Sequence, residues 1–92
     1  MTIMKNTIDR ESLINRLNKM GIKVVGRTED FNDSKGGIWL SAEEPQNTHF
    51  FDYYAMGRAY DCGVRTSLVE LLDNVGWYAE WEDAGTIMLW KS

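Results

Sequence analysis

The sequence predicts an α+β domain, an antiparallel sheet of four or five strands with two amphipathic helices packed on one face, in the order αβββαββ. Three observations carry this. Two apolar stripes recur at helical spacing and each runs into a glycine, five shorter segments have the composition or alternation of strands, and 92 residues suffice for one hydrophobic core but hardly for two. The expectation is therefore a single domain over residues 1–92.

In the first helix Leu13, Ile14, Leu17 and Met20 form the apolar stripe, with Arg10, Asn15, Arg16, Asn18 and Lys19 opposite. Thr7 or Asp9 caps its start, and Gly21 ends it in the left-handed conformation with Ile22 folding back. Ile22, Val24 and Val25 read as a first strand, Thr28 to Lys35 as a polar loop, and Gly36-Gly37 followed by Ile38-Trp39-Leu40 as a turn into the second strand. Glu43 to Thr48, which holds the only proline, Pro45, is a second polar connection, and His49 to Tyr54 reads as a third strand.

Val64, Leu68, Leu71, Leu72 and Val75 form the second helical stripe, stopped by Gly76. Ser67-Leu68-Val69-Glu70 matches a capping box, but the stripe reaches Val64 and favours a start near Asp61. Trp77, Ala79 and Trp81 then alternate with Tyr78, Glu80 and Glu82 as in a strand with one buried face. Asp83-Ala84-Gly85 suits a three-residue hairpin loop with a positive φ at Gly85, returning through Thr86 to Trp90. Both halves run helix, glycine, strand, turn, glycine, strand, which raises a duplicated αββ unit as a reading of the order.

Apolar residues at 43% and charged residues at 26% place the chain among folded globular domains. No apolar run is long enough to span a bilayer, and Met1 to Asn6 lacks the apolar stretch of a signal peptide. Cys62 is the only cysteine, so no internal disulfide can form, and a reducing cytoplasmic setting is the expectation. The net charge of −4 is unevenly spread. Residues 1–27 carry six basic side chains against two acidic ones, and residues 28–92 carry four basic against twelve acidic. An acidic body opposes the neutralisation of phosphates on which duplex binding depends, so direct nucleic-acid binding is disfavoured.

Catalytic and metal chemistry find little footing. Cys62, His49 and Asp52 or Asp61 supply the residue types of a thiol, imidazole and carboxylate set, but Asp61 beside Cys62 opposes thiolate formation and no local signature accompanies them. One histidine and one cysteine cannot close a zinc site within the chain. Asp30, Asp33, Glu43 and Glu44 do not follow the calcium-loop spacing, and Gly36-Gly37 lacks the lysine and serine of a phosphate loop. The expectation is a non-enzymatic protein with no catalytic residue, no metal and no cofactor.

Aromatic residues make up 12% of the chain, a heavy load for so small a core, and exposed Tyr and Trp are favoured anchors of protein interfaces. Tyr53, Tyr54, Tyr60, Tyr78, Glu80 and Glu82 form the candidate partner-binding set, an acidic aromatic surface able to imitate a phosphate track and draw in a basic or nucleic-acid-binding protein. The alternatives are rings packed within the core, or a homodimer through an uncovered sheet face or edge. In size, acidity and the run Gly76 to Thr86 the chain resembles small proteins encoded by phages and other mobile elements. That resemblance implies an inhibitor of host defence or of nucleic-acid enzymes, and assigns no residue a role.

Overall fold

In the computed structural model, which describes residues 7–54 and 59–92, the first helix α1 spans Arg10–Lys19. Asp9 caps it by accepting the Ser12 amide at 2.7 Å, which also holds the Asp9 carboxyl below its ordinary pKa. At the other end the Gly21 amide donates to Asn18 and the Ile22 amide to Leu17 at 2.9 Å, with Gly21 at φ 88. This paired closure fits a glycine one residue past the cap and brings Ile22 into the core at 1% exposure. The reading of Met1 to Asn6 lies outside the described residues.

The chain continues as β1 (Val24–Arg27), a short helix α2 (Thr28–Asn32) and β2 (Ile38–Ser41). The segment read as a polar loop thus contains a helix, with Asp30 at its third position accepting the Arg27 amide. Thr28 is fully buried and ties this helix down, because its hydroxyl donates to the Ser34 carbonyl at 2.8 Å and accepts the Gly37 amide at 3.0 Å. Phe31 stacks on Trp39 with ring centroids 5.1 Å apart, so α2 covers part of the sheet face that α1 and the later long helix leave open.

The third strand expected over His49 to Tyr54 does not form. Pro45–Asn47 is a 3₁₀ turn, the chain turns again through His49 and Phe50, and Phe51 alone makes a β-bridge, to Val64. The Phe50 and Phe51 amides donate instead to the carbonyl of Asn47, at 2.9 and 3.1 Å, and Asn47 is a polar residue buried at 0% exposure inside what reads as a solvated connection. Its carboxamide accepts the Lys23 amide at 2.7 Å and donates to the carbonyls of Lys23 and Ser41, both at 2.9 Å. One side chain thereby satisfies three backbone groups where β1 and β2 separate.

The second long helix does not begin at Asp61. Residues 60–65 form a small hairpin, β3 (Tyr60–Asp61) and β4 (Val64–Arg65), and the helix α3 spans Thr66–Asn74. Cys62 at φ 50 and Gly63 at φ 82 make the two-residue loop, since positive φ at both central residues matches the twist of the flanking strands. Val64 continues the apolar stripe from a strand and is buried at 4% exposure. Burial at helical spacing therefore does not distinguish the two elements there.

β5 (Trp77–Asp83) and β6 (Thr86–Lys91) complete the sheet as an antiparallel hairpin. Its loop is shorter than expected. Asp83 pairs with Thr86, an irregularity lies between Trp81 and Asp83, and Gly85 does not have the positive φ expected of it. The sheet order is β1-β2-β6-β5, all antiparallel, so β2 and β6 are the inner strands and β1 and β5, the first strand after each long helix, form the edges. Leu13 and Leu17 of α1 and Leu68 and Leu72 of α3 pack with Ile38, Leu40, Ile87 and Leu89 in one buried cluster. The two long helices thus share one sheet face, as the sequence predicts.

Candidate functional site

β5 is an edge strand, and its burial alternates: Trp77 is buried, Ala79 and Trp81 half-buried, Tyr78, Glu80 and Glu82 exposed. The inward set looks toward α3. Between α3, β5 and the β3–β4 hairpin lies a groove of about 390 Å³. Its apolar lining comes from Val64, Val69, Leu72, Trp77, Ala79 and Trp81, and Asp61, Glu70 and Asp73 bring carboxylates to it.

Each wall has a local cause. Trp77 is held by an indole N–H donated to the Ile8 carbonyl at 2.9 Å, which satisfies the polar atom of a ring only 1% exposed. The turn before it is closely packed, for a Cβ on Gly76 (φ 80) would lie 3.0 Å from Thr7 backbone. Trp81 donates its indole N–H to the Cys62 carbonyl at 2.6 Å, tying the small hairpin to β5, and its ring stands perpendicular to that of Tyr53 at a centroid distance of 5.0 Å. Gly63 is confined beneath that contact. A Cβ there would lie 2.7 Å from the Asp52 carbonyl and 3.0 Å from the Trp81 ring.

The six sequence-predicted partner residues fall into two groups. Tyr78, at 45% exposure, lines the groove, and Glu80 and Glu82 follow it on the outer face of β5. Tyr53 (47% exposed) and Tyr54 (79%) stand edge to face on the far side of Trp81 and line a second, smaller hollow with Phe51, Asp52 and Ala84. Tyr60 is engaged internally: its hydroxyl donates to the His49 carbonyl at 3.1 Å and its ring lies 5.6 Å from the Arg65 guanidinium. Val69, Glu70 and Asp73 of α3 and the Cys62-Gly63 turn lie at the groove but outside the partner-binding set expected from the sequence. The available signals were an X-Gly pair ahead of an apolar run and two carboxylates three apart on one helix.

Charge is distributed unequally around this frame. On the β1 side basic groups are paired: Arg10 with Glu29 at 2.8 Å, Arg27 with Glu11 at 2.9 Å and Lys23 with Glu44 at 3.8 Å. The Arg10 hydrogen bond, with help from backbone amides including that of Gly36, lowers the Glu29 pKa from 4.5 to about 2. Among the described residues, Asp61, Glu70, Glu80 and Glu82 form no ion pair. Among the described residues the groove side therefore carries more carboxylates than cations, even with Lys91 Nζ 5.9 Å from the Trp77 ring, while much of the N-terminal positive charge is spent on internal pairs.

The catalytic and metal readings gain no geometry. No hydrogen bond among the described residues joins Cys62, His49 and Asp52, and the Asp52 carboxylate accepts the Tyr54 amide at 3.1 Å. The described residues contain no cluster of three or more His, Cys, Asp or Glu placed to hold a metal ion. None of their helices is long and apolar enough to cross a membrane. Comparison with family models, with curated proteins and with solved structures finds no match to this chain. What fold and groove together define, among the described residues, is a small α+β protein in which the edge strand β5 has no further strand paired to it and carries Glu80 and Glu82.

Proposed function

We propose that this chain is a non-catalytic binding protein that acts inside the cell by occluding a basic or nucleic-acid-binding protein partner with the surface around β5. The observation that carries this reading is the coincidence of an apolar groove with four carboxylates, Asp61 and Glu70 at the groove and Glu80 and Glu82 on β5, that form no ion pair among the described residues. The apolar floor supplies desolvation energy, and the carboxylates supply long-range attraction and the choice of a basic partner. Tyr78 at the groove and Tyr53 and Tyr54 beyond Trp81 extend the surface with amphipathic rings.

Resemblance in size and acidity to proteins of phages and other mobile elements supports an inhibitor of host defence or of a nucleic-acid enzyme, whose cationic track the acidic edge would fill. The test is affinity capture from a host lysate at low and high salt, run with the native chain and with Tyr78→Ala/Glu80→Gln. One partner held by the native chain, weakened by salt and by the double variant, supports the reading. A partner retained equally by the variant places binding elsewhere on the molecule.

A further inference from the structure

The two edges of the sheet differ in how they are protected. β1 spans only Val24–Arg27, is irregular between Val24 and Gly26, and runs directly into α2, features that blunt an edge. β5 spans Trp77–Asp83 and contains no proline. The Ser92 amide donates to the Gly76 carbonyl at 2.8 Å, and this sets the alternation of the β5–β6 ladder. Tyr78 and Glu80 aim their backbone groups at β6, and Trp77, Ala79 and Trp81 aim theirs outward. No turn, loop or cap hydrogen bond among the described residues takes up those outward groups.

We propose that the β5 edge receives an extended segment of a basic partner as a fifth strand of the sheet. This rests on the reading of the β5 surface as a protein-binding site and names what occupies it. An added strand places alternate side chains on opposite faces. One set enters the groove over Val69, Leu72 and Trp81, and the other lies beside Tyr78 and Glu80. The segment that fits therefore alternates apolar residues with Lys or Arg. A second copy of this chain fits poorly, because antiparallel pairing of β5 with itself brings Glu80 and Glu82 of both copies onto one small face, where like charges repel.

The experiment titrates isotope-labelled protein with a synthetic peptide of about nine alternating Val and Lys residues, long enough to span β5, and reads the backbone amides by NMR. Its companions are the same peptide N-methylated at alternate residues and a scrambled peptide of equal composition. The proposal expects shifts centred on the amides of Trp77, Ala79 and Trp81, slowed hydrogen exchange there, and affinity at least about tenfold weaker for the N-methylated peptide and for Glu80→Lys protein. Equal binding of the N-methylated peptide in the groove overturns strand addition and leaves the surface reading intact. Binding mapped to α1 and β1 overturns both. Absence of binding by the alternating peptide, or sedimentation as a dimer joined through β5, overturns the fifth-strand proposal.

Discussion

Cys62 occupies a left-handed backbone position, at φ 50, that costs a branched or thiol side chain about 1 kcal/mol and suits asparagine. Cys62→Asn is therefore expected to fold normally and to gain about 0.5 kcal/mol in denaturant unfolding, while Gly63→Ala, against the Asp52 carbonyl and the Trp81 ring, loses about 1–3 kcal/mol. The asparagine variant also separates binding from thiol chemistry, because a surface that works by docking keeps its partner without the sulfur. Asn47 is the strongest single polar anchor, as its removal strands an amide and two carbonyls in a buried place. Asn47→Ala is expected to cost about 2–4 kcal/mol by the same measurement, and a loss under about 1 kcal/mol would mean that water replaces the carboxamide. Glu29 makes an acid-dependent contribution. Its pKa is depressed from 4.5 to about 2, so its stabilisation is complete above 4.5 and is lost as pH falls toward 2. The stability-against-pH curve of Glu29→Gln is expected to be flatter than that of the native chain across this window, with the two converging at its acid end.

At the scale of elements, α1, α3 and the β5–β6 hairpin were legible because their periodicities are long and their ends are marked by Asp9, Gly21 and Gly76. The misreadings share a physical form: a short segment whose side chains serve tertiary contacts rather than a regular face. Phe51 and Val64 are buried on separate stretches that meet in a bridge, so the local pattern suggests a strand around one and a helix around the other. Asn47 and Thr28 are polar and fully buried, which composition alone reads as loop. The β3–β4 hairpin depends on β5 for support through the indole of Trp81. Trp81→Phe is expected to cost about 1–2 kcal/mol and to raise hydrogen-exchange rates in residues 60–65 before those in β6. Equal acceleration in both elements would show that the hairpin is anchored by its apolar contacts alone.

Across the whole molecule, the sheet order sets a neutralised edge apart from an acidic one. The charge asymmetry was legible in the sequence, and so was the outward alternation of Tyr78, Glu80 and Glu82. The groove was not, because it is built by juxtaposing α3, β5 and a hairpin that are adjacent only after folding. Splitting of the tyrosines to either side of Trp81 has the same origin. The central claim is that binding resides on the β5 side, and the most direct test measures partner affinity against salt for three proteins. These are the native chain, Glu80→Gln/Glu82→Gln, and Asp33→Asn, which removes a carboxylate at the end of α2 on the β1 side and keeps a residue suited to φ 67. The β5 variant is expected to bind at least about tenfold more weakly and with a shallower salt dependence, while Asp33→Asn binds as the native chain does. Equal affinity of all three proteins, or loss confined to Asp33→Asn, would contradict the assignment of binding to the β5 edge.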